Sequence, residues 1–162
     1  MTCVRLAAFA ANVALAGGMA CVSLAARADC FDEAAAYQHV NPTVLRALAW
    51  QESHNRPDAT HVNKNGSVDY GVMQINSIHL PELSRYGVDR HALLEPCKNV
   101  YIAAWQLRRM MLKYGDTWAA VGAYHSETPA LRDQYAAQVA RILHRWIAAG
   151  WVDSGVEPGD GN

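Results

Sequence analysis

Nowhere in the 162 residues is there a Cys-x-x-Cys pair, a His-Glu-x-x-His, a Gly-x-Ser-x-Gly or a glycine-rich phosphate loop. Dithiol redox chemistry, zincin-type proteolysis, the serine-hydrolase elbow and nucleotide binding therefore lack the spacings they need. The seven histidines are scattered without metal-ligand spacing, so neither a metal nor a cofactor is expected. Asn63, Asn65 and Gly66 imitate a calcium loop, but His61 would then stand at the first ligand position and Val72 at the last, which defeats that reading. Fourteen Lys and Arg against 15 Asp and Glu lack the basic excess of a nucleic-acid partner. No internal repeat or low-complexity tract interrupts the chain. At 51% hydrophobic and 18% charged it is too apolar for disorder, and its length suits one domain.

What is present begins with a leader. Leu6 to Ala26 carries no charge and follows Arg5, yet its apolar heart, Leu6 to Ala16, is Ala-rich, is broken by Asn12 and runs into Gly17 and Gly18. A spanning helix needs about 20 strongly apolar residues, so residues 1–28 read as a signal peptide with Ala26-Arg27-Ala28 at the cleavage site. A cut after Ala20 would leave three cysteines in an oxidising compartment, and Cys21 as a lipidated residue has Gly18 as a poor match to a lipobox. Cleavage after Ala28 discards Cys3 and Cys21 and pairs Cys30 with Cys97 in an expected disulfide. It also removes Arg5 and Arg27 but no acid, leaving 12 basic residues against 15 acidic.

Asp29 to Val40 reads as a helix. A second is expected from Pro42 to Ser53 or His54, N-capped by Asn41, with Val44, Leu45, Leu48 and Ala49 on its apolar face. Glu52 falls on that same face, near the negative end of the helix dipole, and both circumstances favour its protonated form. A small hairpin with Asn65-Gly66 at its tip follows, from Val62 to Val68, Tyr70 and Val72. A helical piece spans about Ser77 to Tyr86, and a long helix begins near Pro96, with Val100, Ala103, Ala104, Leu107, Met111 and Tyr114 on one face, and ends at Gly115. Asp116 is expected to cap a short helix holding Trp118 to Tyr124. A last helix opens at Thr128-Pro129 and runs to Gly150 through Tyr135, Val139, Ile142 and Trp146. The body of the domain is expected at residues 29–151, with a flexible tail over 152–162.

A carboxylic acid on an apolar helix face, beside a hairpin and a polar-aromatic segment, suits protonation of a glycosidic leaving group. Glu52-Ser53, then Gly71-Val72-Met73-Gln74-Ile75-Asn76, then Ala123-Tyr124-His125-Ser126 resemble, in order and approximate spacing, the Glu-Ser, Gly-Leu-Met-Gln and Ala-Tyr-Asn segments of single-domain lytic transglycosylases. Asp69-Tyr70 before the second segment and Tyr-His-Ser in the third resemble in particular the small exported group, IagB/IpgF-like, that is associated with type III or type IV secretion and pilus systems. The resemblance implies an α+β, mainly α, lysozyme-like fold with a small β-hairpin beside the active-site helix. It also implies a monomer that cleaves peptidoglycan glycan strands in the periplasm, with secretion-system or pilus components as partners.

On the same resemblance, Glu52 is the general acid and then the base, Gln74 binds an acetamido sugar, and Tyr124 orients the acid. Met73 and Asn76 belong to the cleft segment, with core filling equally open for Met73, and Gly71 permits a close approach to the sugar or a turn without a Cβ clash. Ser53 is the motif's helix-end hydroxyl, structural in role though grouped with the cleft residues. His125 replaces the motif Asn, so a ligand role there is open. Asp69, 17 residues after Glu52, resembles the second carboxylate of chicken-type lysozymes, and stabiliser, nucleophile and turn cap all stay open. The competing readings are a hydrolytic muramidase that uses Asp69 and a non-catalytic peptidoglycan-binding scaffold.

Overall fold

The computed structural model describes residues 29–159; the leader and both competing readings of its cleavage lie outside the described residues. Helix α1 (Cys30–Gln38) starts where the Asp29 carboxylate accepts from the N–H groups of Phe31 and Asp32, at 3.0 and 3.2 Å, donors that no preceding turn can satisfy. Arg46 reaches Asp29 and Asp32 at 2.7 and 2.9 Å and so ties α1 to α2 (Pro42–Ser53). In α2 the expected start is realised: Asn41 Oδ1 accepts from Thr43 N–H at 2.8 Å and Val44 N–H at 3.3 Å, and Pro42 occupies the first turn. His54, in the left-handed region at φ 55°, closes the helix. Val44, Leu45, Leu48 and Ala49 are buried, as their spacing predicts.

The expected hairpin is two arms of a three-stranded antiparallel sheet, β1 (Thr60–Val62), β2 (Val68–Tyr70) and β3 (Ile75–Asn76), in that order. Asp69 stands opposite His61 on one side and Asn76 on the other. Gly66, at φ 82°, makes the turn, where a Cβ would be strained. The strand β3 escapes a periodicity argument because two residues carry no alternation to read. The segment after it is a 3₁₀ turn (Ser77–His79), the single-turn helix α3 (Leu80–Leu83) and a second 3₁₀ turn (Ser84–Tyr86).

Helix α4 (Pro96–Tyr114) buries Val100, Ala103, Ala104 and Leu107 against the other helices. The Cys30–Cys97 disulfide joins its first turn to that of α1 across 67 residues of sequence, with Cα atoms 5.3 Å apart. Helix α5 (Trp118–His125) is capped by Thr117, whose Oγ1 accepts from Ala120 N–H, and not by Asp116. Asp116 instead uses its backbone carbonyl to accept from Gly159 N–H at 3.0 Å. Helix α6 (Pro129–Ala148) packs so closely on α5 that a Cβ on Gly122 would lie 2.2 Å from the Arg132 carbonyl oxygen. Residues 152–159, expected as a tail, make specific contacts with the body: Asn41 Nδ2 donates to Val156 O, His144 pairs with Glu157, and Trp118 N–H donates to Gly159 O.

Leu45, Leu48, Met73, Ile75, Leu93, Leu107 and Leu143 are fully buried at the junction of helices and sheet. Each such burial is worth about 1.5–3 kcal/mol, and it is this core that fixes α2 beside the sheet. Among the described residues no helix is long and apolar enough to cross a membrane.

Candidate active site

Glu52 stands in the last turn of α2, one residue before the buried Ser53. It lines a cleft of about 250 Å³ together with Asp69, Asn76, Gln74, Tyr124 and His125, with Asn63, Ile78, His79 and Gln106 completing the wall. Burial raises its pKa from the ordinary 4.5 to about 7; the hydrogen bond from Tyr135 works against this rise, and the negative charge of Asp69 adds to it. Tyr135 O–H donates to Glu52 Oε1. The carboxyl proton is thereby left to the other oxygen, and an acid half-protonated near neutrality can both give and take a proton. Burial, followed by the Glu52 carboxylate, pushes Tyr124 and Tyr135 well above the ordinary tyrosine value, so both act as neutral hydroxyl donors.

The segment from Gly71 to Asn76 is held from behind by Asn99, a fully buried polar residue of α4. Its Nδ2 donates to the carbonyls of Tyr70 and Leu93, each at 2.9 Å, and its Oδ1 accepts from Met73 N–H at 2.7 Å. Gly71, at φ 74°, passes so near this residue that a Cβ would meet Leu93 O at 2.6 Å and the Asn99 amide at 2.7 Å. From the other side Ser53 Oγ donates to Val72 O at 2.8 Å and accepts from Arg56 N–H at 3.0 Å.

Across the cleft from the acid, both oxygens of Asp69 are occupied: Oδ2 accepts from Asn63 Nδ2 at 2.8 Å and Oδ1 from Asn76 Nδ2 at 2.6 Å. Asn76 is itself fully employed, since its Nδ2 also donates to Ser67 Oγ and its Oδ1 accepts from Ile78 N–H. On the helical side the His125 ring lies flat on the Tyr135 ring, with centroids 4.8 Å apart and planes 4° from parallel.

This geometry is one buried acid in a polar cleft between a helix end and a small sheet. Residues 29–142, most of the chain, match the transglycosylase SLT domain. The chain belongs to the transglycosylase SLT family. Relatives of this SLT domain include the X polypeptide of Escherichia coli, 39% identical over 74% of this chain and 75% of the relative. Protein IpgF of Shigella flexneri is 38% identical over 74% and 79%, and invasion protein IagB of Salmonella typhimurium is 39% identical over 72% and 73%. Among solved structures, an inactive mutant of the lytic transglycosylase Slt from Pseudomonas aeruginosa superposes with a TM-score of 0.57 at 19% identity. It covers 82% of this chain and 26% of Slt, a likeness that shows the lysozyme-like fold.

The SLT domain decides among the roles open to several motif residues and moves one of them. Met73 has no exposed surface and fills the core, and Ser53 bonds backbone, so neither lines the cleft. Gly71 makes the expected turn without room for a Cβ, but its close approach is to Leu93 and Asn99, with no part in the cleft wall. Tyr124 O–H donates to Met73 O at 3.1 Å; the hydroxyl on the acid comes from Tyr135. Gln74 lies at the cleft, but its Nε2 donates to the carbonyls of Ala59 and Gly71 and braces its own left-handed backbone, at φ 48°. Tyr135, Asn99 and Gln106 carry parts of the site that the motifs do not announce. Gln106 Nε2 is buried at the cleft with no partner among the described residues.

Proposed function

We propose that this SLT domain cleaves the β-1,4 bond between N-acetylmuramic acid and N-acetylglucosamine and closes the muramoyl residue into its 1,6-anhydro form. The observation that carries the reading is the contrast between the two carboxyl groups: Glu52 holds a proton near neutral pH, while Asp69 has both oxygens bonded to asparagine amides. Glu52 protonates the glycosidic oxygen as its bond to C1 breaks. The resulting Glu52 carboxylate then removes the proton from the C6 hydroxyl while O6 bonds to C1. The acid is regenerated, no water is consumed, and no second protein nucleophile is required. Asp69, held by its asparagines, supplies a fixed negative charge toward the cationic transition state and keeps the Glu52 proton in place.

The test is mass analysis of digested sacculi with wild type, Glu52→Gln and Asp69→Asn. Anhydro ends from wild type, none from Glu52→Gln, and reduced but still anhydro output from Asp69→Asn support the reading. Reducing ends from wild type, with Asp69→Asn as inactive as Glu52→Gln, would assign the protein to the hydrolytic muramidases. Undiminished clearing by a folded Glu52→Gln would leave the cleft without its acid.

We also propose export by the N-terminal leader, action in the periplasm and local opening of the wall for a secretion machine or pilus. The relatives named as an invasion protein and as IpgF motivate this role, and the bonded Cys30–Cys97 pair suits an oxidising compartment. Fractionation of a tagged chain, with and without residues 1–28, tests it: recovery of the full-length chain from the cytoplasm alone would refute it.

A further inference from the structure

The cleft does not end at His125. Glu52 and His125 also line a depression of about 300 Å³ with Leu131, Gln134, Tyr135 and Gln138. Gln138 and Gln51 in turn line a third depression, about 440 Å³, which reaches Arg141, His144 and Arg145. Gln51 Nε2 donates to Gln138 Oε1 at 3.0 Å across the α2–α6 seam, so one bonded pair forms the wall common to both. Gln134, Gln138, Arg141 and Arg145 recur at steps of four, three and four, which sets them in one row along α6. The row begins beside Tyr135, whose hydroxyl touches the acid.

Arg141 and Arg145 are exposed, and neither forms an ion pair among the described residues, whereas His144 is engaged by Glu157 at 2.9 Å. Two cations at the end of a groove that starts at the acid call for an anionic ligand attached to whatever the acid cleaves. The helix rise of about 1.5 Å per residue places Arg141 about 9 Å and Arg145 about 15 Å along α6 from Tyr135. An extended peptide advances about 3.3 Å per residue, so one leaving a sugar seated at Glu52 draws level with Arg141 after about three residues and with Arg145 after four or five.

We propose that this α6 row is a binding site for the stem peptide of peptidoglycan, with Arg141 and Arg145 meeting its free carboxylates and the spare amide groups of Gln134 and Gln138 meeting its backbone. The proposal rests on the reading of the cleft as a peptidoglycan site and adds what that reading leaves open, namely which strands are preferred. Strands that keep their peptides bind more tightly than naked glycan, and the preference weakens as salt rises.

The experiment compares peptide-bearing strands with strands stripped of peptide by an amidase, using wild type, the double variant Arg141→Ala with Arg145→Ala, and the double variant Arg141→Lys with Arg145→Lys. The alanine pair is expected to raise KM on peptide-bearing strands about 5- to 10-fold, the combined effect of two exposed charge contacts, with kcat unchanged. On stripped strands it equals wild type, and the lysine pair keeps most of the preference. Equal KM for the alanine pair and wild type on both substrates overturns the α6 site while leaving the acid's role intact. A wild type that cleaves neither substrate overturns the proposed function itself.

Discussion

Glu52→Gln abolishes the proton donor, and it should also make the protein more stable at neutral pH. In the unfolded chain Glu52 ionises near its ordinary 4.5, while in the fold it ionises at about 7. Below pH 4.5 both states hold the proton and the acid costs nothing. Between 4.5 and 7 the unfolded chain releases a proton that the folded one retains, so wild-type stability falls as pH rises and levels off above 7. At about 1.4 kcal/mol per pH unit the loss is about 3 kcal/mol, which for a domain of this size corresponds to roughly 10 °C in Tm. Glutamine keeps the shape and the bond from Tyr135 but never ionises, so the variant escapes the loss. Thermal melts of wild type and variant at pH 4 and pH 8 measure it: the curves should nearly coincide at pH 4 and separate at pH 8, with the variant higher. A gap that stays the same at both pH values would refute the claim that the acid is buried at a cost, and with it the pKa logic of the cleft.

Three further outcomes follow from the same structure. Tyr135→Phe removes the hydroxyl that favours the Glu52 carboxylate, so the descending alkaline limb of kcat/KM should move up by about one pH unit, the worth of a charge-assisted hydrogen bond, in a pH–rate profile. Asn99→Ala leaves Met73 N–H and the Tyr70 and Leu93 carbonyls buried without partners, and denaturant unfolding should show a loss of at least about 3 kcal/mol together with lowered activity. Reducing Cys30–Cys97 frees a loop of 67 residues, and urea melts with and without reductant should differ by about 4 kcal/mol.

The elements that sequence reasoning locates are those with punctuation at both ends. Helix α2 has Asn41 and Pro42 at its start and an apolar stripe within it, and α4 and α6 each open on a proline, so all three lie where expected. Glu52 is legible because a carboxylate in line with Leu48 and Val44 contradicts the stripe around it. Tyr135 is not legible: it sits on the apolar stripe of α6 as a core residue would, and only the packing of α6 on α2 brings its hydroxyl to an acid 83 residues earlier. Asn99, beside Val100 on the buried face of α4, left a readable trace, since an unpaired amide there would be costly and must find backbone to bond. Thr117 and Asp116 are both capable caps, and the backbone pairing of Asp116 and Trp118 with Gly159 beside them is something no local pattern reveals. The inward placement of Met73 and Ser53 depends on packing in the same way. A motif marks positions: Met73 goes to the core behind the turn that Gly71 makes, while Ser53, at the end of α2, is carried inward by its helix.

That turn also separates what identifies the domain from what its cleft can select. Gly71 is confined by Leu93 and Asn99, neither of which lines the cleft, so the segment from Gly71 to Asn76 is constrained by its own scaffold. Substrate preference is then free to change at Gln106, Gln134, Gln138 and the arginines of α6 without disturbing the signature. Two chains sharing every motif residue can therefore differ in which strands they cut, and efforts to redirect specificity belong on the helices, with Gly71 to Asn76 left alone.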